Sequence, residues 1–140
     1  AQHFSKRTIW TRNDMLWSGY VVKNKQTSIF FAGDTGYSSH FKDINKRLGD
    51  MDISLIPIGA YEPRYIMKSM HLNPEEAVQA HIDLNSTNSI GIHWGCFAQL
   101  TDEGRLDPLI DLSFALEKFK LPLRSFIVLH PGECFNLFHK

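Results

Sequence analysis

The distribution of apolar and polar residues near the start of the chain predicts a β-hairpin. Segments 16–22 and 28–32 are rich in aromatic and β-branched residues, and the stretch between them, 23–27, is polar. This pattern is typical of two antiparallel strands joined by a loop of more than two residues. We therefore expect a hairpin at the start of a sheet.

After residue 37 the hydrophobic pattern alternates between helical and strand periods. Uninterrupted apolar runs predict buried strands at 53–58, 89–93 and 126–129. Apolar residues three and four positions apart predict helices at 38–48, 73–84 and 108–119. The alternation favours an α/β (α+β) arrangement, in which a mixed sheet packs against helices.

The helix that follows residue 73 has the clearest start signal. Asn73 can cap it, Pro74 suits its first position, and Glu76 completes a capping box. His71 lies two residues before this cap, near backbone N–H groups that favour anions. A histidine there can orient a phosphate or protonate a leaving oxygen. An ordinary solvated loop histidine is the alternative.

Composition restricts the class of protein. The 140 residues are 43% hydrophobic and 21% charged, with a formal net charge of zero, as in a single soluble domain. No basic run is present, so we expect no nucleic-acid partner. No apolar run of about 18 residues is present. Cys96 and Cys134 have no paired spacing, so we expect reduced thiols and a cytoplasmic location, with peripheral membrane contact as an alternative.

Three residues have the chemistry of metal ligands. Asp34 follows the apolar run 28–32 within a Gly-Asp-Thr-Gly turn, His93 ends the run 89–93, and His3 lies near the start of the sequence. A carboxylate can bind two cations at once, and a neutral imidazole binds one. Considered alone, each residue has an ordinary alternative: a turn aspartate, a buried core histidine and a mobile terminal histidine.

A polar loop follows the strand predicted at 53–58. It contains Tyr61, Glu62 and Arg64, and loops at strand ends often carry function. The guanidinium group of Arg64 suits a phosphate. Internal pairing of Arg64 with Glu62 or another acid is the alternative.

Five short motifs resemble the metallo-β-lactamase superfamily, and in particular its branch of N-acyl-phosphatidylethanolamine-hydrolysing phospholipase D enzymes. The motifs are Gln-His-Phe at 2–4, Phe-Ala-Gly-Asp-Thr-Gly-Tyr at 31–37, Pro-Ile-Gly-Ala-Tyr-Glu-Pro-Arg at 57–64, Met-His-Leu-Asn-Pro-Glu-Glu-Ala at 70–77 and Ile-His-Trp-Gly at 92–95. The third and fourth are specific to that branch. The resemblance runs from His3 to about Glu133.

The resemblance implies a fold and a missing part. Residues 1–140 are expected to form the C-terminal half of the four-layer αββα domain, because the family's upstream His-x-His-x-Asp-His motif does not occur in this sequence. The missing N-terminal half is then the expected partner. The sheet face that meets it should be apolar and partly exposed here, which also favours a homo-oligomer.

The resemblance also implies roles for the candidate residues. His3, Asp34 and His93 correspond to metal ligands, with Asp34 and a hydroxide bridging two zinc ions in the intact protein. Asp34 and His71 are the expected catalytic residues. The expected substrate-binding residues are Tyr61, Glu62, Arg64 and His71.

Three functions remain open on this basis. The first is a zinc-dependent phosphodiesterase acting on phospholipid-type substrates. The second is a hydrolase of lactones or other small esters, because the same chemistry attacks carbonyl groups. The third is a non-catalytic half-domain or assembly module, since these residues supply three of about seven expected ligands, and the isolated chain is then inactive with doubtful zinc occupancy.

Overall fold

The computed structural model describes residues 1–3, 5, 10–11, 13–14, 17–96 and 101–137. Five strands form one sheet: β1 Tyr20–Lys23, β2 Ser28–Phe31, β3 Met51–Pro57, β4 Ser86–Ile92 and β5 Phe126–Val128. Four α-helices accompany it: α1 His40–Leu48, α2 Arg64–Met67, α3 Pro74–Asp83 and α4 Asp107–Lys118. A 3₁₀ turn, Leu123–Ser125, precedes β5.

The sheet is mixed, and its strands follow chain order. β1 and β2 are antiparallel, whereas β2, β3, β4 and β5 are parallel neighbours. Crossovers between parallel neighbours are almost always right-handed, which places the connecting helices on one face. In agreement, α3 contacts both α1 and α4. The predicted α/β architecture with a mixed sheet is confirmed.

One face of the sheet and the helices enclose the core. Phe30 of β2, Ile56 of β3 and Phe126 of β5 are buried together with Phe41 of α1 and Leu116 of α4. These are the apolar positions that the strand and helix periods predicted. Removing such side chains from water is the main force that holds the helices on the sheet.

The opposite face of the sheet is apolar and largely uncovered among the described residues. Tyr20 pairs with Phe31 across β1 and β2, and their side chains are 64% and 44% exposed. Val22 on the same face is 69% exposed. The segment 134–137 lies beside Val22, Ile29 and Ile53 at one corner. The expected exposed apolar face is therefore present.

The predicted elements are confirmed with shifted ends. The hairpin strands are shorter than predicted, and residues 15 and 16 lie outside the described residues. The capping box of α3 forms as expected: the Asn73 side chain accepts the Glu76 N–H at 2.8 Å, and the Glu76 carboxylate accepts the Asn73 N–H at 3.2 Å. The short helix α2 was not predicted, because four residues after a proline show no helical period. No described helix is long and apolar enough to cross a membrane.

Candidate metal centre

Three imidazoles and one carboxylate meet at the carboxyl edge of the sheet. Asp34 follows β2, and His93 follows β4 directly. The carboxyl ends of parallel strands share one edge, and Nε2 of His93 lies 3.5 Å from Oδ1 of Asp34. The ring centroid of His71 is 5.5 Å from that of His93 and 5.0 Å from that of His3. The structure thus brings together the three predicted ligands and the predicted catalytic histidine.

Buried Thr35 holds the segments that carry two of these histidines. Its hydroxyl oxygen accepts the Gln2 N–H at 2.7 Å, and its carbonyl accepts the Leu72 N–H at 3.0 Å. Gln2 precedes His3, and Leu72 follows His71. One buried residue next to Asp34 therefore anchors both neighbouring chains, which places their imidazoles beside the Asp34 carboxylate.

Close backbone packing fixes the position of His93. Its φ angle is 58°, in the left-handed region that residues with a side chain rarely adopt. A Cβ atom at Gly59 would lie 2.2 Å from the His93 carbonyl oxygen, so that only glycine fits. The loop after β3 and the end of β4 are thereby in direct contact.

His71 is a neutral imidazole at pH 7. Burial lowers its pKa from 6.5 to about 4, with further lowering from His3 and His93, while Asp34 and Glu103 oppose the shift. Its Nδ1 is buried and has no hydrogen-bond partner within the described part of the chain. A neutral imidazole can bind a metal or donate one hydrogen bond.

His3 is packed into the cluster rather than mobile at the chain end. Its ring stacks on Trp17, with centroids 5.3 Å apart, and meets the edge of His71. The neighbouring Gln2 side chain donates to the Ser69 carbonyl at 3.1 Å. These contacts tie the start of the chain to the loop that carries His71.

The loop after β3 is held by its own polar side chains. Tyr61 is only 3% exposed, and its hydroxyl donates to Asp111 at 2.6 Å. The carboxylate of Glu62 accepts the Arg64 N–H at 2.8 Å. The substrate-binding roles of Tyr61 and Glu62 stay predictions, since both polar groups are engaged internally.

Arg64 forms an ion pair with Glu76. Internal pairing with an acid is the alternative to phosphate binding that the sequence allows for Arg64. The two side chains meet at 2.7 Å, and Nη1 of Arg64 donates to the carbonyls of His71 at 3.0 Å and Tyr61 at 3.3 Å. Arg64 therefore ties the backbone of His71 to the start of α3. Substrate binding by Arg64 stays a prediction.

Glu103 is a polar residue of this region that the sequence did not indicate. Its carboxylate accepts the backbone N–H groups of Ala60 at 2.6 Å, Tyr61 at 3.3 Å and Glu62 at 3.0 Å, and the Thr101 hydroxyl at 2.6 Å. Burial raises the pKa of this carboxyl, but the hydrogen bonds outweigh burial and lower it. Glu103 lies 41 to 43 residues after Ala60, Tyr61 and Glu62 in the chain. Neither segment contains a motif that predicts this contact.

The other cysteines and histidines have local roles or lie apart. Cys96 and Cys134 are free and exposed. The ring of His81 in α3 is buried and shares a hydrogen bond with the Ser89 hydroxyl at 2.8 Å. His40 bonds Ser38 at 2.6 Å. His139 and Phe97 lie outside the described residues.

The side chains of the cluster have the chemistry of ligands for a metal ion such as zinc. Imidazole and carboxylate are donors that zinc accepts, and Asp34 and His93 are close enough to bind one ion together. No set of three or more His, Cys, Asp or Glu among the described residues has the placement of a complete site.

Fold and site together define a class of protein. Residues 1–94 match the family described as the beta-lactamase superfamily domain. The chain belongs to this superfamily.

Two relatives of this chain share one more specific description. The chain is 44% identical, over 97% of its length, to the N-acyl-phosphatidylethanolamine-hydrolyzing phospholipase D 1 of Caenorhabditis elegans, of which it covers 39%. It is 36% identical, over 84% of its length, to the mitochondrial enzyme of that description from Saccharomyces cerevisiae, of which it covers 25%. The chain thus spans well under half of either relative.

A solved structure supports the fold. A metallo hydrolase from the archaeon Ignicoccus hospitalis superposes on 86% of this chain with a TM-score of 0.63. The chain covers 46% of that protein, and the two sequences are 20% identical. At this identity the likeness supports the fold alone.

Proposed function

We propose that this chain is part of a metal-dependent phosphodiesterase that acts on phospholipid-type substrates. The observation that carries the proposal is the contact of Asp34 with His93 at 3.5 Å, with His71 beside it at the carboxyl edge of the sheet. Support for the substrate class comes from the relatives that hydrolyse N-acyl-phosphatidylethanolamine.

Asp34, His93 and His3 are the residues of this chain that hold zinc in the proposal. The Asp34 side chain is 44% exposed, so its carboxylate is accessible to an ion and offsets positive charge there. Zinc, when bound, lowers the pKa of a coordinated water from 15.7 to about 7 and so supplies a nucleophile at neutral pH. The close packing of Gly59 on His93 keeps that ligand in place before an ion binds.

His71 assists the leaving oxygen in the proposal. Since its pKa is lowered to about 4, the neutral ring donates a hydrogen bond at pH 7 rather than a full proton from an imidazolium. Arg64 holds the His71 carbonyl, which fixes the ring relative to the start of α3. Positioned proton donors and acceptors contribute about 10²-fold to 10⁴-fold to rates.

A second layer covers the apolar sheet face in the intact protein. The exposed side chains of Tyr20, Val22 and Phe31 form one patch, and the chain spans 39% of a relative that is 44% identical. We infer that a further segment of the same domain packs there and brings the missing ligands. The isolated chain is then a weak metal binder with little activity.

The test measures zinc content and hydrolysis together, in the isolated chain and in a longer protein that contains it. Substrates are N-acyl-phosphatidylethanolamine and a lactone panel. In the longer protein, His71→Gln should lower kcat by about 100-fold or more at unchanged zinc content, whereas His130→Gln, at an exposed position, should not. Lactone turnover alone would contradict the substrate class. Zinc-free, inactive longer protein would leave the non-catalytic module as the function.

A further inference from the structure

The Glu103 carboxylate joins two segments that no helix or strand pairing connects. It accepts hydrogen bonds from three consecutive backbone N–H groups, those of Ala60, Tyr61 and Glu62. The Asp102 N–H adds a bond to the Glu62 carbonyl at 3.3 Å. We refer to residues 59–62 as the β3 loop.

The conformation of the β3 loop directs three backbone N–H groups at the Glu103 carboxylate. Ala60 has φ 60°, a left-handed angle that is unfavourable for a residue with a Cβ atom. Three successive N–H groups directed at one point form a concave site for an anion. Among the described residues no ion pair involves Glu103, so the N–H groups of the β3 loop, its own backbone N–H and the Thr101 hydroxyl are donors that stabilise its charge.

The β3 loop in turn touches both sides of the histidine cluster. Gly59 packs on the carbonyl of His93. The Tyr61 carbonyl accepts Arg64, and the same Arg64 nitrogen donates to the carbonyl of His71. A carboxylate that fixes residues 60–62 therefore acts on the backbone of His93 through one contact and on that of His71 through the other.

We propose that Glu103 is a positioning residue, which holds the β3 loop with Ala60 at its left-handed angle and thereby sets the places of His93 and His71. Its consequence for zinc rests on the proposed function, whereas its hold on the loop does not. Glu103 contacts neither imidazole by hydrogen bond in the described structure, so it positions their backbones through residues 59–62, while its charge also acts on His71 through space.

The main test compares Glu103→Gln with Asp107→Asn in the full 140-residue chain. Asp107 is a matched control, since its carboxylate accepts a backbone N–H of the same segment, that of Gly104 at 2.7 Å, but does not bond the β3 loop. Amide hydrogen exchange by NMR should become at least about tenfold faster at residues 60–62 in Glu103→Gln, because an amide offers one acceptor oxygen and no charge. Exchange in the centres of β3 and α3 should stay unchanged in both variants.

Zinc titration by calorimetry provides the second readout. Glu103→Gln should bind Zn²⁺ about tenfold more weakly than the parent chain, while Asp107→Asn matches the parent, as expected for a residue that orients a ligand from outside. If the parent binds no zinc, the metal part of the proposed function fails, and exchange at residues 60–62 still decides the role of Glu103.

A milder substitution keeps the proposal testable if the Glu103→Gln protein does not fold. Glu103→Asp keeps the charge but is one methylene shorter, so it should accelerate exchange at residues 60–62 less than glutamine does. Unchanged exchange in both Glu103→Gln and Glu103→Asp, or equal acceleration throughout β3 and α3, would overturn the proposal.

Discussion

The imidazole of His93 lies with Nε2 3.5 Å from Oδ1 of Asp34, although 58 residues separate the two in the chain. Both follow parallel strands of one sheet, β2 and β4, with β3 between them. A carboxylate and an imidazole at this separation can bind the same cation without movement of the backbone. Asp34 and His93 are therefore two candidate ligands that this chain already holds within reach of one cation.

Neutralising Asp34 should therefore weaken zinc binding without unfolding the chain. Asp34→Asn keeps the shape of the side chain but removes its charge, and we expect Zn²⁺ affinity to fall by at least about 10-fold to 100-fold, because even groups outside the ligand set contribute that much. Calorimetric titration measures the affinity, and urea unfolding measures stability. Asp43→Asn on the exposed side of α1 is the control. Equal zinc affinity in parent and Asp34→Asn would remove Asp34 from the site.

Adding one methyl group at Gly59 should displace His93. The new Cβ would lie 2.2 Å from the His93 carbonyl oxygen, so the two backbones must separate, at a cost of about 1–3 kcal/mol or more in the free energy of unfolding. Gly104→Ala is the control, because the atoms nearest to its Cβ belong to the carboxylate of the Asp107 side chain, at 3.1 Å, and not to a backbone. Urea unfolding of both variants and NMR of the His93 ring provide the measurements. A Gly59→Ala protein with parental stability and an unmoved His93 signal would contradict the packing.

Acid should destabilise the chain well before its carboxylates titrate. Burial lowers the pKa of His40 to about 4, with the N-terminal charge adding to the shift and Asp43 opposing it, and burial lowers the pKa of His81 as well. The unfolded chain therefore binds more protons than the folded chain between pH 6.5 and about 4. This contribution to stability is complete above pH 6.5 and is lost as the pH falls through that window.

The slope of the free energy of unfolding against pH distinguishes this effect from general acid unfolding. Each such histidine adds at most about 1.4 kcal/mol per pH unit to the pH dependence of the free energy of unfolding. Urea unfolding at half-unit steps from pH 7.5 to 4.5 measures the slope, and His40→Gln should reduce it. A free energy of unfolding that stays constant from pH 6.5 to 4.5 would show that these burial effects are absent.

The uncovered sheet face should make the isolated chain self-associate. Val22 and Phe31 are 69% and 44% exposed on this face, and burying apolar surface there is favourable by about 25 cal/mol per Å². We expect the mass measured by light scattering to rise with protein concentration. The double variant Val22→Thr with Phe31→Ser should shift that rise to at least about tenfold higher concentration. Leu123→Ser, at another exposed apolar residue, is the control, and a parent chain that stays monomeric at high concentration would contradict the prediction.

Much of the fold could be predicted from local signals in the sequence. The start of α3 depends on Asn73, Pro74 and Glu76, which act within one helical turn, and the structure contains that capping box. The positions of β3, β4 and β5 followed from short apolar runs, because strands buried under helices must be apolar. The ends of these three strands differ from the predicted ends by at most three residues, since hydrogen bonds to neighbouring strands decide where a strand begins.

Interactions between distant segments could not be predicted from periodicity. Several acidic residues lie near Arg64 in the sequence, and the sequence does not show which of them pairs with its guanidinium group. In the folded chain the partner is Glu76, which also caps α3. Glu103 gave no signal, because its partners are backbone N–H groups and every residue except proline has one. Long-range hydrogen bonds of this kind leave no spacing in the sequence.

The sequence by itself determined the α/β order of elements and the capped start of α3, and its resemblance to the superfamily supplied the candidate ligands His3, Asp34 and His93 and the expectation of an apolar, partly exposed sheet face. Only the tertiary structure decided which of these residues meet, because their proximity depends on the parallel order of β2, β3 and β4, on buried Thr35 between Gln2 and Leu72, and on the fit of Gly59 against His93. Residue chemistry is local and can be recognised in a sequence, whereas distances across a sheet arise from packing of the whole chain.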